Sequence, residues 1–196
     1  MGGSLAASPH LRAWIDAIAE GVGKLVVVPG GGPFADAVRV AQRAQGFDDA
    51  TAHRMALLAM EQYAALLGNG DIPHFVAAAS RRAILTALGD ARVPIWLPSR
   101  MVLACDDIAA SWDVTSDSLA AWLAAELRAS ALVLVKSVAP GRSATAAELA
   151  QQQIVDRAFP EYRARCGCDC YVAGAADHGL LRVALRDGTP PGVRVL

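Results

Sequence analysis

Residues 24–39 read "KLVVVPGGGPFADAVR", and the parsing of that stretch decides the fold. Residues 25–28 are apolar, mostly β-branched and bounded by glycine and proline, which predicts a short strand buried on both faces. Three glycines follow, and then "FADAVRVAQRAQG", a helix-forming stretch closed by Gly46. Strand, glycine turn and helix in that order form the unit from which parallel α/β sheets are built.

The pattern continues in both directions. Leu11, Trp14, Ile15, Ile18 and Val22 fall at helical spacing and predict an amphipathic helix after "GGSL". Residues 48–70 predict a longer helix, acidic in its first turn and ending in glycines. Another apolar helix is expected over about 75–88, and "VPIWLP" at 93–98 reads as a short strand. In "TSDSLAAWLAAELRAS", Thr115 is the candidate N-cap, Asp117 lies in the first turn, and Leu119, Trp122, Leu123 and Leu127 share a stripe. "ALVLVKSV" at 131–138 is a second buried strand; helices near 145–165, a strand around 169–173 and the "VRVL" tail finish the chain. The expected fold is α/β, a three-layer αβα sandwich with a mainly parallel sheet, in a single domain over 1–196.

Composition narrows the function. A chain of 196 residues with 54% hydrophobic content fills one sizeable core. A net charge of −1 and the absence of a long basic run argue against a nucleic-acid partner. No apolar run approaches the roughly 20 residues needed to span a bilayer, and the opening has no leader pattern, so a cytoplasmic protein without a membrane partner is expected. Lys24 and Lys136 are the only lysines, which draws attention to each position.

The four cysteines, Cys105 and the cluster Cys166, Cys168 and Cys170, are not the framework of a small secreted domain. Alternate spacing would put the clustered thiols on one face of an extended segment. That geometry could hold a soft metal, but it lacks the C-x2-C spacing of common zinc sites and an obvious fourth ligand. A half-buried strand of reduced thiols is the expectation, with no metal assigned.

In parallel sheets ligands bind beyond the carboxyl ends of the strands. Three segments are expected there: "GGSL", "PGGGP" and "VKSV". Backbone N–H groups of Gly30, Gly31 and Gly32 can turn together toward an anion, and the helix after them adds its positive dipole end. A plain strand-to-helix turn explains the same glycines. "GGGPFA" also matches a dinucleotide fingerprint with Asp48 or Asp49 some twenty residues on, a match that Pro33 fits poorly. Asp117 cannot stabilise a phosphate directly, but it could orient lysines or hold magnesium; otherwise it complements the helix dipole. Lys136, at the end of its strand, can offer its charge to a transferring phosphoryl group. Asp36 and Arg39 are candidates for an amine and a phosphate on a substrate, though surface charges would look alike.

Together "MGGSL", "VVVPGGGP", "VTSDSLAAWLA" and "LVLVKSVAPG" resemble, in order and over essentially the whole chain, the amino acid kinase family of acetylglutamate, aspartate and uridylate kinases. "HRMALLAMEQYAALL", "SWDVTSDS", "VKSV" and "IVDRAFPEY" look closest to the branch that phosphorylates aminomethylfuran phosphate on the way to methanofuran, with relatives making a similar C1 carrier in methylotrophic bacteria.

The resemblance implies an ATP- and Mg2+-dependent kinase acting on a small phosphorylated substrate, with a phosphate or carboxylate acceptor and a homo-oligomeric assembly. It would put Gly2, Gly3 and Ser4 at the phosphate end, with Gly30 to Gly32 cradling the acceptor beside Thr115 and Ser116. Asp117 would organise the lysines, and Lys136 and Ser137 would lie at the nucleotide, although "KSV" replaces the family's common "TDV". It further implies that a first strand ending in lysine is missing ahead of Met1. Without it the sheet should show an open edge or slot, the chain should be poorly soluble or weakly active, and an upstream strand should restore both. Lys24, at the amino end of its strand, cannot substitute for that lysine. An alternative within the superfamily is a non-catalytic member that stores or senses an oxyanion such as molybdate.

Overall fold

The computed structural model describes residues 3–69 and 74–196. Along the described residues the order is α1 (Gly3–Ala6), α2 (Leu11–Ala19), α3 (Gly32–Gln45), α4 (Asp49–Leu67), β1 (Phe75–Ala78), α5 (Arg81–Gly89), β2 (Val93–Trp96) and α6 (Ser99–Val102). There follow α7 (Ser116–Leu127), β3 (Ala131–Lys136), α8 (Ala146–Gln151), α9 (Phe159–Arg165), β4 (Asp169–Gly174), α10 (His178–Asp187) and β5 (Val193–Arg194).

Local chemistry sets most boundaries. Pro33 lies in the first turn of α3, where a missing N–H costs nothing, and Gly46 ends the helix at φ 71°. The Asp48 carboxylate caps α4 by accepting the Thr51 N–H at 2.7 Å. The expected helix over 75–88 is corrected: 75–78 is the strand β1, and α5 begins only at Arg81. Ser80 makes the break, adopting extended backbone and accepting the Ala83 N–H. A four-residue apolar run looks the same in a buried strand as in a helix, and here pairing with β2 decides it.

β1 and β2 pair in parallel, and Val27 adds a parallel bridge to Ile95 on the other edge of β2. Among the described residues the 25–28 stretch pairs with β2 through a bridge at Val27, whose N–H donates to Pro94 and whose carbonyl accepts from Trp96, both at 2.9 Å. β3 pairs in parallel with β4, and β5 runs antiparallel on the far side of β4. β3 is thus an edge strand among the described residues. Between it and the 25–28 segment runs a slot of about 520 Å³, walled by Val26, Val27, Leu132 and Leu134 and bounded on another side by α7.

The largest core cluster draws on Leu57, Trp96, Leu119, Leu134, Phe159 and Val195, so it joins both sheets through α7. Leu119 and Leu123 are buried on one stripe of α7, and each contributes about 1.5–3 kcal/mol by leaving water. Leu5 of α1 packs with Trp14, Val135 and Ala173, near the carboxyl ends of β3 and β4. α1 also packs against α3. No described helix is long and apolar enough to cross a membrane.

Candidate active site

The amino end of α7 organises the site. Thr115 occupies the N-cap position, but its side chain does not cap the helix. Asp156, in the connection from α8 to α9, supplies the cap across the fold. Its Oδ2 accepts the Thr115 N–H at 2.9 Å, the Thr115 hydroxyl at 2.8 Å and the Ser118 N–H at 3.0 Å, while Oδ1 accepts the Ser118 hydroxyl. A carboxylate at the positive end of the helix satisfies donors that would otherwise be buried without partners. Ser118 is fully buried, so this cap shapes the interior.

Asp117 turns the other way. Its Oδ2 accepts the Lys136 ammonium at 2.5 Å and the Asp156 N–H at 3.1 Å. The aspartate side chain is 11% exposed and the lysine 19%, so the pair stands at the margin of the slot with little water around it. Burial pushes the Asp117 carboxyl above the usual carboxylate range; Lys136 opposes the shift and the nearby Asp156 charge adds to it. The arrangement fixes one ammonium group at the carboxyl end of β3, as a site for phosphate oxygens requires.

A separate cavity of about 250 Å³ lies across Thr115 and Ser116. Gly30, Gly31 and Gly32 form part of its wall, with Asp36 and Arg39 from α3, Asp49 and His53 from α4, and Trp112. Glycine is required at position 32: φ is +54°, and a Cβ there would stand 2.9 Å from the Tyr63 ring. Arg39 is held by Asp36 at 3.1 Å and lies 4.2 Å from the centre of the Trp112 ring. The Trp112 indole N–H donates to Gln42 at 2.6 Å, and Gln42 donates to Asp49 at 2.8 Å. These bonds tie α3, α4 and the 111–114 segment into one wall. Burial holds the His53 imidazole below its ordinary pKa.

The sequence-derived candidates fall as follows. Gly30, Gly31, Gly32, Thr115 and Ser116 line the small cavity; Thr115 and Ser116 also line the slot, together with Asp117 and Lys136. Ser137 is exposed just beyond β3. Gly2 lies outside the described residues, as do the side chains of Gly3 and Ser4; the α1 backbone that includes the latter two packs on α3. Lys24 lines the slot and donates to the Leu185 carbonyl at 3.0 Å. Asp156, Trp112 and His53 lie in stretches quoted for the resemblance but without a role assigned to them, and Gln42 is a further addition.

The pattern of the amino acid kinase family matches residues 1–140. The chain belongs to the amino acid kinase family. A curated relative, the [5-(aminomethyl)furan-3-yl]methyl phosphate kinase of Methanocaldococcus jannaschii, is 32% identical over 127 residues, which are 63% of this chain and 57% of that protein. The chain thus spans little more than half the length of that relative. Uridylate kinase from Archaeoglobus fulgidus superposes with a TM-score of 0.73 at 18% identity, covering 100% of this chain and 97% of its own. UMP kinase from Bacillus anthracis gives 0.69 at 16%, covering 99% and 92%. Both show the same α/β fold.

Membership of this family implies ATP with magnesium, and the donor types that would face a nucleotide lie at the end of β3. Lys136 offers a fixed cation, and Ser137, Gly141 and Ser143 lie in the stretch that follows it before α8. The carboxylates fit less well as dedicated metal ligands. Both Asp156 oxygens are engaged in capping α7, and Asp117 Oδ2 is taken by Lys136 and a backbone N–H. Magnesium at this site would be held chiefly by nucleotide phosphates and water.

Proposed function

We propose that this chain is an ATP-dependent kinase transferring a phosphoryl group to the phosphate, or a carboxylate, of a small substrate. One observation carries the reading: the Asp117–Lys136 pair, largely shielded from water, lines the slot directly beside Thr115 and Ser116, which the slot shares with the glycine-walled cavity at the amino end of α7. Bound ATP would supply the activated γ-phosphoryl group. An acceptor phosphate in the cavity is already ionised, so no general base is needed. Its oxygen bonds to the γ-phosphorus as the bond to the ADP oxygen breaks, and ADP leaves with the electron pair. The protein's part is alignment and charge neutralisation. Arg39 would pair with the acceptor's fixed phosphate and Lys136 with the transferred group. The α7 amino end, its dipole already offset by Asp156, would position rather than bind.

The 32% identical relative supports a finer version, in which the acceptor belongs to the aminomethylfuran phosphate type used in methanofuran-like C1-carrier synthesis. Asp36 and Asp49, both lining the cavity, suit the ammonium of such a substrate, and Trp112 suits its flat ring. The same reading has the chain working in the cytoplasm as one domain and as a homo-oligomer. Met55, Leu58 and Leu66, exposed on α4, would give a contact face.

The test is magnesium-dependent ADP release by the chain with phosphorylated amine acceptors. Turnover supports a kinase. No turnover with any acceptor, together with tight oxyanion binding, would favour a storage or sensing protein instead.

A further inference from the structure

Away from the kinase site, three sulfur atoms meet at the turn between α9 and β4. Cys166 closes α9, Gly167 reverses the chain at φ 70°, Cys168 precedes β4, and Cys170 is the second residue of that strand. Cys168 and Cys170 share a face because the chain is extended between them, and the left-handed glycine folds Cys166 back over both. Cys166 Sγ lies 3.5 Å from Cys170 Sγ and 3.7 Å from Cys168 Sγ, and all three lie within 4.8 Å of one another. The sequence expectation of one continuous thiol-bearing strand is corrected here, since Cys166 belongs to a helix end.

We propose that Cys166, Cys168 and Cys170 form a three-thiolate site for one thiophilic divalent ion of the zinc class. Three lines of chemistry lead there. First, a tetrahedral ion with metal–sulfur bonds of about 2.3 Å sets its ligands about 3.8 Å apart. The 3.5 and 3.7 Å separations need only tenths of an ångström of adjustment. Second, protein ligands that are all sulfur select zinc or cuprous ions and disfavour magnesium and calcium.

Third, charge separates those two. Three thiolates around a divalent ion leave a net −1. Arg163 Nη1 lies 3.9 Å from Cys166 Sγ, and the buried Arg163 Nε has no hydrogen-bond partner among the described residues. One guanidinium balances a divalent site and falls one charge short for a monovalent one. Binding needs no oxidant: each thiol releases a proton to solvent as its sulfur bonds the metal. Among the described residues no fourth ligand joins the three thiols, so water would take the fourth position.

The site would pin the end of α9 to the start of β4. β4 runs from Asp169 to Gly174, about 17 Å of extended chain, so the metal would sit at the opposite end of that strand from the kinase site. It would be structural rather than part of phosphoryl transfer.

The test uses the reduced, metal-free whole chain, handled without oxygen and titrated with zinc against a chromophoric chelator, with cobalt(II) as a spectroscopic probe. One equivalent should bind, and cobalt should give sulfur-to-metal charge transfer in the ultraviolet with the visible bands of a tetrahedral site. Cys168→Ser, at the half-buried position, should weaken zinc by more than the roughly 10–100-fold that losing an outer-shell partner costs. Cys105→Ser should bind as the parent does. Independently of any variant, zinc should slow alkylation of the half-buried Cys168 in the folded chain, while Cys105 reacts as before, read by intact mass and peptide mapping. Substoichiometric binding, no charge-transfer band, no protection, or a folded Cys168→Ser chain with unchanged affinity would each overturn the proposal.

Discussion

Asp117→Asn removes one negative charge and keeps the shape of the side chain. It converts the 2.5 Å contact with Lys136 from a charge-assisted bond, worth about 1.5–3 kcal/mol, into an amide–ammonium contact that no longer fixes the lysine. It also relieves the burial of a carboxylate, a cost of several kcal/mol. The two effects oppose, so stability at neutral pH should change by no more than about 1 kcal/mol. The rate has no such compensation. Losing one preorganised cation at the transferred group costs about 10²–10³ in turnover, or about 3–4 kcal/mol.

The sign of the pH dependence follows from the raised Asp117 pKa. A group that binds its proton more tightly when folded contributes stability that is complete below the unfolded aspartate pKa. That contribution is lost as pH rises through the folded value. The parent should therefore gain stability relative to Asp117→Asn as pH falls from neutral toward 4. Coupled ADP release measures turnover and ATP KM, and urea melts across pH 4–8 measure the rest. Unchanged turnover would refute the positioning role, and a parent that loses ground on acidification would refute the burial argument.

Asp156→Ala should cost about 1–3 kcal/mol, because it strips the cap from α7 and leaves the buried Ser118 hydroxyl without its acceptor; a urea midpoint shift checks this. Gly32→Ala must strain φ +54° and press on Tyr63, so both acceptor KM and melting temperature should worsen, read by kinetics and calorimetry. Arg39→Ala should raise acceptor KM by about tenfold or more with ATP KM unmoved, as expected for a lost charged hydrogen bond. Equal effects on both substrates would remove Arg39 from the acceptor site.

Much of this arrangement is legible in the sequence because the signals are local. Gly46 ends α3 and Asp48 starts α4 within a few residues of one another, and "LVLVK" can hardly be anything but a buried strand with a cation at its end. The three glycines and Asp117 are likewise local marks of a strand end and a helix start. What escapes is non-local. Thr115 has the type and position of an N-cap, yet the oxygen doing the capping comes from Asp156, which lies 41 residues away. Trp112 reaches Gln42 across 70 residues, and no spacing rule predicts that bond. The misread β1 has a different cause: Phe75–Ala78 is too short for periodicity to separate strand from helix, and only its register with Val93–Trp96 settles it. The 25–28 segment reads as a full strand, and among the described residues its bridge to β2 is at Val27, with the slot on its other side.

The central claim is phosphoryl transfer at the Asp117–Lys136 pair. Phosphorus NMR of a reaction holding ATP, magnesium and a phosphorylated amine acceptor tests it most directly, run with the chain and its Asp117→Asn variant. The predicted result is a new diphosphate signal on the acceptor, growing in step with ADP and suppressed at least about a hundredfold in the variant. ADP formed without acceptor phosphorylation, or equal product from both proteins, would contradict it.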